Sequence, residues 1–107
     1  MQVDRLEAMT KGWFVGDFSP TTFRSSACEV AIKHYAAGDS EAEHVHRIAT
    51  EITAIVSGRA MMCGKEWTAG DILTIDPGDA TDFLALTDTV TVVVKLPSVP
   101  HDKHFVD

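Results

Sequence analysis

Turn signals punctuate this chain about every eight to twelve residues, and that spacing constrains its fold more than any other feature. Gly16-Asp17, Gly38-Asp39-Ser40, Ser57-Gly58, Gly64-Lys65, Gly70-Asp71, Asp76-Pro77-Gly78-Asp79 and Thr87-Asp88 divide the sequence into short runs. Gly supplies positive φ, Pro fixes φ, and Asp and Asn side chains bond their own backbone, so these clusters turn the chain. The runs between them, at 13–15, 28–35, 43–47, 51–56, 59–63, 66–68, 72–75, 81–86 and 90–96, read as strands. Helix signals are confined to residues 6–11, with Asp4 as N-cap and Gly12 as stop, which predicts one short turn at most. Residues 19–26, rich in Ser and Thr and holding Pro20, read as a loop or an irregular edge. Pro97 and Pro100 end regular structure, and the tail 101–107 is expected to be loosely held. Many short strands must hide their edges, and closing the sheet on itself does so. The expectation is therefore all-β: a sandwich or, with its edges closed, a small antiparallel β-barrel, one domain over residues 1–107.

The formal net charge of -7 argues against nucleic acid and against an anionic membrane surface as partners, since both are met with Lys and Arg. No run approaches the ~20 apolar residues of a membrane span. The first ten residues lack the apolar run of a signal peptide. Cys28 and Cys63 form no Cys-x-x-Cys pair. A cytoplasmic protein with reduced thiols is expected.

The stretch from Gly38 to Gly58 holds the candidate chemistry. His44 and His46 are two apart, so on a strand they project from one face. Residues 47–50 have room to turn, and Glu51 is expected to return on the adjacent strand facing the pair. Two neutral imidazoles and a carboxylate suit one divalent transition metal. The bland alternative is a hydrogen-bonded polar cluster inside a barrel. His34 shares a strand face with Val30 and Ile32, either as a satisfied core histidine or as a residue reaching the barrel interior. His101 and His104 lie in a charged tail and are expected to have no role. Cys63, Met61, Met62, Trp67, Trp13 and Phe83 are expected to be structural, in core or interface. There is no Ser-His-Asp arrangement and no Gly-x-Gly-x-x-Gly.

The order glycine, five residues, histidine, one residue, histidine, four residues, glutamate, six residues, glycine resembles the first motif of the cupin superfamily, here over 38–58. The second cupin motif has its likeness over 70–83, in Gly70-Asp71, the strand 72–75 and Pro77-Gly78. The resemblance implies a cupin barrel with His44, His46 and Glu51 as ligands of one Fe, Mn, Ni, Cu or Zn ion. Where the family supplies a last histidine ligand, this chain has Thr81, and strand alternation points Asp82 the other way unless a bulge re-aims it. The remaining triad leaves open positions on a metal. The resemblance implies a metal-dependent enzyme on a small organic molecule, of dioxygenase, isomerase or lyase type. Its alternative is a non-enzymatic small-molecule-binding or sensor domain. Glu51 is the candidate proton acceptor, and His34, Thr81, Thr53 and Phe83 are pocket candidates. Ile52, Ala54 and Val56 alternate with Glu51, Thr53 and Ile55, so both faces of that strand need cover. Two-sided apolarity argues for a homodimer packed sheet to sheet.

Overall fold

The computed structural model describes residues 1–106; Asp107, the end of the tail, lies outside the described residues. The chain forms eleven strands: β1 Trp13–Gly16, β2 Phe23–Arg24, β3 Glu29–Tyr35, β4 Ser40–His46, β5 Thr50–Ser57, β6 Arg59–Met62, β7 Lys65–Thr68, β8 Ile72–Ile75, β9 Ala80–Ala85, β10 Thr89–Leu96 and β11 Lys103–Phe105. They lie in two sheets, of order β2-β1-β3-β10-β5-β8 and β11-β4-β9-β6-β7. All pairings are antiparallel except β1 with β2. The fold is all-β and a small barrel, as the turn spacing predicts, of the jelly-roll type that the cupin resemblance implies.

The strands alternate, and the inner faces set up a gradient along the barrel. At one end Ile55, Ala60, Met62, Ile75, Phe83 and Ala85 form a buried apolar core, with Tyr35, Trp67 and Leu73 packed against it. At the other end the inner positions are polar: His44, His46, Glu51, Thr53 and Thr81 are all buried. On β5 the change occurs within five residues, from Glu51 through Thr53 to Ile55. The β6–β7 hairpin turns at Cys63 and Gly64, with φ of +53° and +78°, the two-residue positive-φ turn that matches strand twist. Gly58, which closes the first motif, has φ +87°, and a Cβ there would overlap the Asp88 carbonyl oxygen, so both backbone and space require glycine.

Four expectations are corrected. The N-terminal segment makes two three-residue 3₁₀ turns, Leu6–Ala8 and Thr10–Gly12. Asp4 does not cap them, because its carboxylate accepts a hydrogen bond from Thr22 Oγ1 at 2.6 Å instead. Residues 23 and 24 form β2, a short edge strand beside β1, in line with the irregular-edge reading of residues 19–26. The tail is not loose: β11 pairs with β4, and Asp102 is buried against the β4–β5 connection. Finally, Glu51 does not return beside the histidines. The connection 47–49 crosses from one sheet to the other, so β4 and β5 face each other across the barrel and are not ladder neighbours.

Candidate metal centre

His44 and His46 reach the barrel interior from β4, and Glu51 reaches it from β5 on the opposite sheet. Each offers one ligand atom, and these atoms lie within 4.8 Å of one another. The three residues are 6%, 3% and 6% exposed. His44 Nδ1 lies 2.8 Å from the Ala42 carbonyl oxygen. A carbonyl only accepts, so Nδ1 carries the proton and Nε2 keeps its lone pair. His46 Nε2 is buried with no hydrogen-bond partner among the described residues. His46 Nδ1 stands 3.9 Å from Glu51 Oε1. Burial first, then the nearby Lys95 and His44 charges, pull the His46 pKa down to about 4. The imidazole is therefore neutral near pH 7, the form that ligates a metal. Thr53 Oγ1 donates to Glu51 Oε2 at 3.0 Å and leaves Oε1 facing His46. An orphaned buried nitrogen, a histidine with its tautomer pinned and an oriented carboxylate fit a metal ion.

A β-bulge builds the histidine side of this site. Glu41 pairs with Phe83 and His44 with Thr81, so three steps on β4 match two on β9. The extra residue lets Glu41 and His44 both face inward despite their odd spacing. Asp82 points away from the ligand face as strand alternation expects: it accepts the Cys63 backbone N–H at 3.0 Å, and β9 stays regular. Thr81 is buried directly across the ladder from His44, and its Oγ1 lies 3.5 Å from Cys63 Sγ. Cys28 and Cys63 are unpaired.

Beside the triad lies a cavity of about 230 Å³. Thr53, Thr81 and Phe83, three of the pocket candidates, line it. His34 does not: it is exposed on the outer face of β3, because Ala31, Lys33 and Tyr35 take the inward positions. Apolar residues on the outward face of β3 made the two faces look alike in sequence. The cavity also holds residues with no place in the sequence reading of the site: Trp13, Lys33, Tyr35, Glu41, Lys95 and Lys103. Tyr35 stacks on Phe83 at 4.2 Å between ring centres and donates its hydroxyl to Glu41 Oε2 at 2.7 Å. Burial and then that bond push the Tyr35 pKa far up. Burial raises the Glu41 pKa, but the Tyr35 hydroxyl, Lys33 and Lys103 outweigh it and hold the carboxyl below its ordinary value. Asp102, also missed, accepts the backbone N–H groups of Arg47, Ile48 and Ala49 at 2.9 to 3.2 Å. It fixes the connection between His46 and Glu51.

No protein-family sequence model matches the chain, and no curated protein matches it. Solved structures do. A conserved protein with a double-stranded β-helix domain from Klebsiella pneumoniae superposes with a TM-score of 0.66 at 23% identity, over 69% of this chain and 66% of that one. An RmlC-like cupin from Shewanella frigidimarina gives 0.65 at 20% identity, over 72% and 71%. The chain folds as a cupin. The DMSP lyase DddQ from Ruegeria pomeroyi gives 0.72 at 17% identity, over 88% of this chain and 49% of the lyase, so this cupin barrel spans about half the length of that enzyme. Solved structures with the cupin fold thus include enzymes. The triad sits inside this cupin barrel on β4 and β5, and Thr81 stands across the ladder from His44.

Proposed function

We propose that this cupin is a divalent-metal-dependent enzyme acting on a small organic molecule, with His44, His46 and Glu51 as ligands of one Fe, Mn, Ni, Cu or Zn ion. The observation that carries the reading is the convergence of three buried donor groups within 4.8 Å beside a cavity of about 230 Å³. A bound ion would supply Lewis acidity and a place for substrate oxygens. The chain's own residues do the rest. The Ala42 carbonyl fixes the proton on His44 Nδ1. Thr53 holds Glu51 Oε2, so Oε1 is the oxygen free to ligate, and it would take up a substrate proton only on leaving a metal ion. The Tyr35–Phe83 stack and the apolar core behind it close the inner end of the cavity to water. The lyase of the same fold is an enzyme precedent for such a site, not evidence for its reaction here.

One observation favours the alternative of a non-enzymatic binding domain: the buried position across from His44 is held by Thr81, a poor metal ligand. Elemental analysis of tag-free protein purified without chelator, beside Glu51→Ala and His46→Ala, tests the metal reading. About one equivalent in the parent, lost in both variants, is expected. No metal in the parent, with none gained after soaking in each candidate ion, would overturn it and leave the binding domain.

We also propose that two copies of the chain associate through the outer face of the six-stranded sheet. Ile52, Ala54, Val92 and Val94 lie there on neighbouring central strands, half-buried, and Val56 and Ile72 are 55% and 68% exposed beside them. An apolar sheet face of this kind calls for a covering layer.

A further inference from the structure

The chain has five lysines and a net charge of -7, yet four of the five line the one cavity beside the triad: Lys11, Lys33, Lys95 and Lys103. Lys33 and Lys95 are built into the barrel wall. Lys95 faces inward on β10, directly between Glu29 and Glu51 in the ladders, and its side chain is only 15% exposed. Lys33 occupies the inward position on β3 opposite Thr91. The Trp13 ring lies against both ammonium groups, with Nζ 5.2 Å from the ring centre for Lys33 and 4.8 Å for Lys95. The ring's π-face steadies two cations without cancelling their charge.

The pocket's carboxylates compensate these lysines only in part: Glu41 attracts Lys33, and Glu29, Glu51 and Glu41 attract Lys95. Glu41 is engaged by the Tyr35 hydroxyl and lies 3.7 Å from Lys103. Glu51 belongs to the triad, and Asp82 accepts the Cys63 N–H. Lys95 has only a long pair, 3.9 Å, to Glu29. Lys33 makes no ion pair among the described residues. Lys95 is largely shielded from water and the Trp13 ring lies against both ammonium groups, so their charge is held at a desolvation cost. An anion entering the cavity would offset that cost. The cavity is smaller than the about 300–1,000 Å³ of drug-sized sites, so the anion is small. No arginine lines this cavity, so it lacks the forked donors that grip phosphate at two oxygens, and its lysines act as point charges on an anion.

We propose that the cavity binds a small organic carboxylate, with its carboxylate group held by the Lys33 and Lys95 ammonium groups and its reacting end towards His44 and Glu51. This rests on the triad being the working end of the pocket, and it names the substrate class. Isothermal titration of the full chain, both metal-loaded and chelator-stripped, tests it. The probes are acetate, malonate and succinate, the neutral acetamide, malonamide and succinamide, and inorganic phosphate. At least one acid binds about tenfold or more tightly than its amide. Lys33→Met and Lys95→Met each weaken that binding about tenfold or more, with metal content unchanged, while Lys65→Met on the distant hairpin leaves it unchanged. The comparison of acid with amide on the parent protein needs no variant and holds even where one fails to fold. Acids and amides that bind alike, no binding by any acid, undiminished affinity in both lysine variants, or phosphate preferred to every carboxylate would each overturn the proposal. The stripped protein separates the two readings. Discrimination of acid from amide without metal content in the parent sinks the triad and keeps the lysines. Metal without discrimination does the reverse.

Discussion

Thr53 is the residue on which the orientation of Glu51 turns. Its hydroxyl is the only hydrogen-bond donor to the Glu51 carboxylate among the described residues, and both side chains are buried on the inner face of β5. Losing a partner that orients a ligand typically costs about 10–100-fold in metal affinity. Thr53→Val keeps the volume and removes the hydroxyl. It is expected to weaken metal binding by about that factor while leaving His44 and His46 in place, as read by competition with a chelating dye. The triad itself was legible in sequence because all three side chains lie within one short stretch, with strand spacing between the histidines. His34 was misplaced because β3 has Val30 and Ile32 on one face and Ala31 and Tyr35 on the other. Alternation then defines two faces without saying which is inside. Lys33 and Lys95 gave no local signal, since a lysine mid-strand reads as solvent-facing until the partner strands are known.

At the scale of elements, the β4–β5 connection is held from far along the chain. Asp102 is 53 to 55 residues from the N–H groups it accepts, so nothing near residues 47–49 announces it. A tail bearing charges and bounded by Pro97 and Pro100 reads as loose for that reason. Burial raises the Asp102 pKa, but the Ala49, Ile48 and Arg47 N–H groups outweigh it and hold the carboxyl below 3.8. A carboxyl depressed in the folded state stabilises the fold fully above its unfolded value. That contribution is lost as pH falls through the lower folded value. Asp102→Ala strands three backbone donors and is expected to cost about 2–3 kcal/mol at pH 7. Urea midpoints between pH 6 and pH 2 should converge for parent and variant at the acid end. A constant gap down to pH 2 would show that the carboxylate charge is not what matters. The strands themselves were legible because Gly and Pro turns bound almost every one of them. The crossing of the 47–49 connection between sheets was not, because a short turn looks the same whether it joins ladder neighbours or opposite walls.

For the whole molecule, the two faces of the six-stranded sheet have separate duties. The inner face carries Glu51, Lys95 and Lys33, and the outer face carries valines and isoleucines. Ile72 lies on the edge strand β8, in register with Ala54. Because Ile72 is largely exposed, Ile72→Lys should leave the single chain folded. Sedimentation equilibrium should then report a dimer for the parent and a monomer for the variant; identical masses would remove this face as the contact.

The three candidate ligand side chains lie within eight consecutive residues, from His44 to Glu51, although the fold sets them on opposite walls. Closing so short a loop costs little entropy even in a chain with no structure. A nascent chain therefore holds all three donors close together before any strand has paired, while the Thr53 bond and the opposite walls that orient them come with folding. Capture of the ion need not wait for the barrel, and the affinity the unfolded chain retains is subtracted from the stability the ion confers on the folded one. In this protein the ion would act as an early guest of the polypeptide more than as a late rivet of the finished structure.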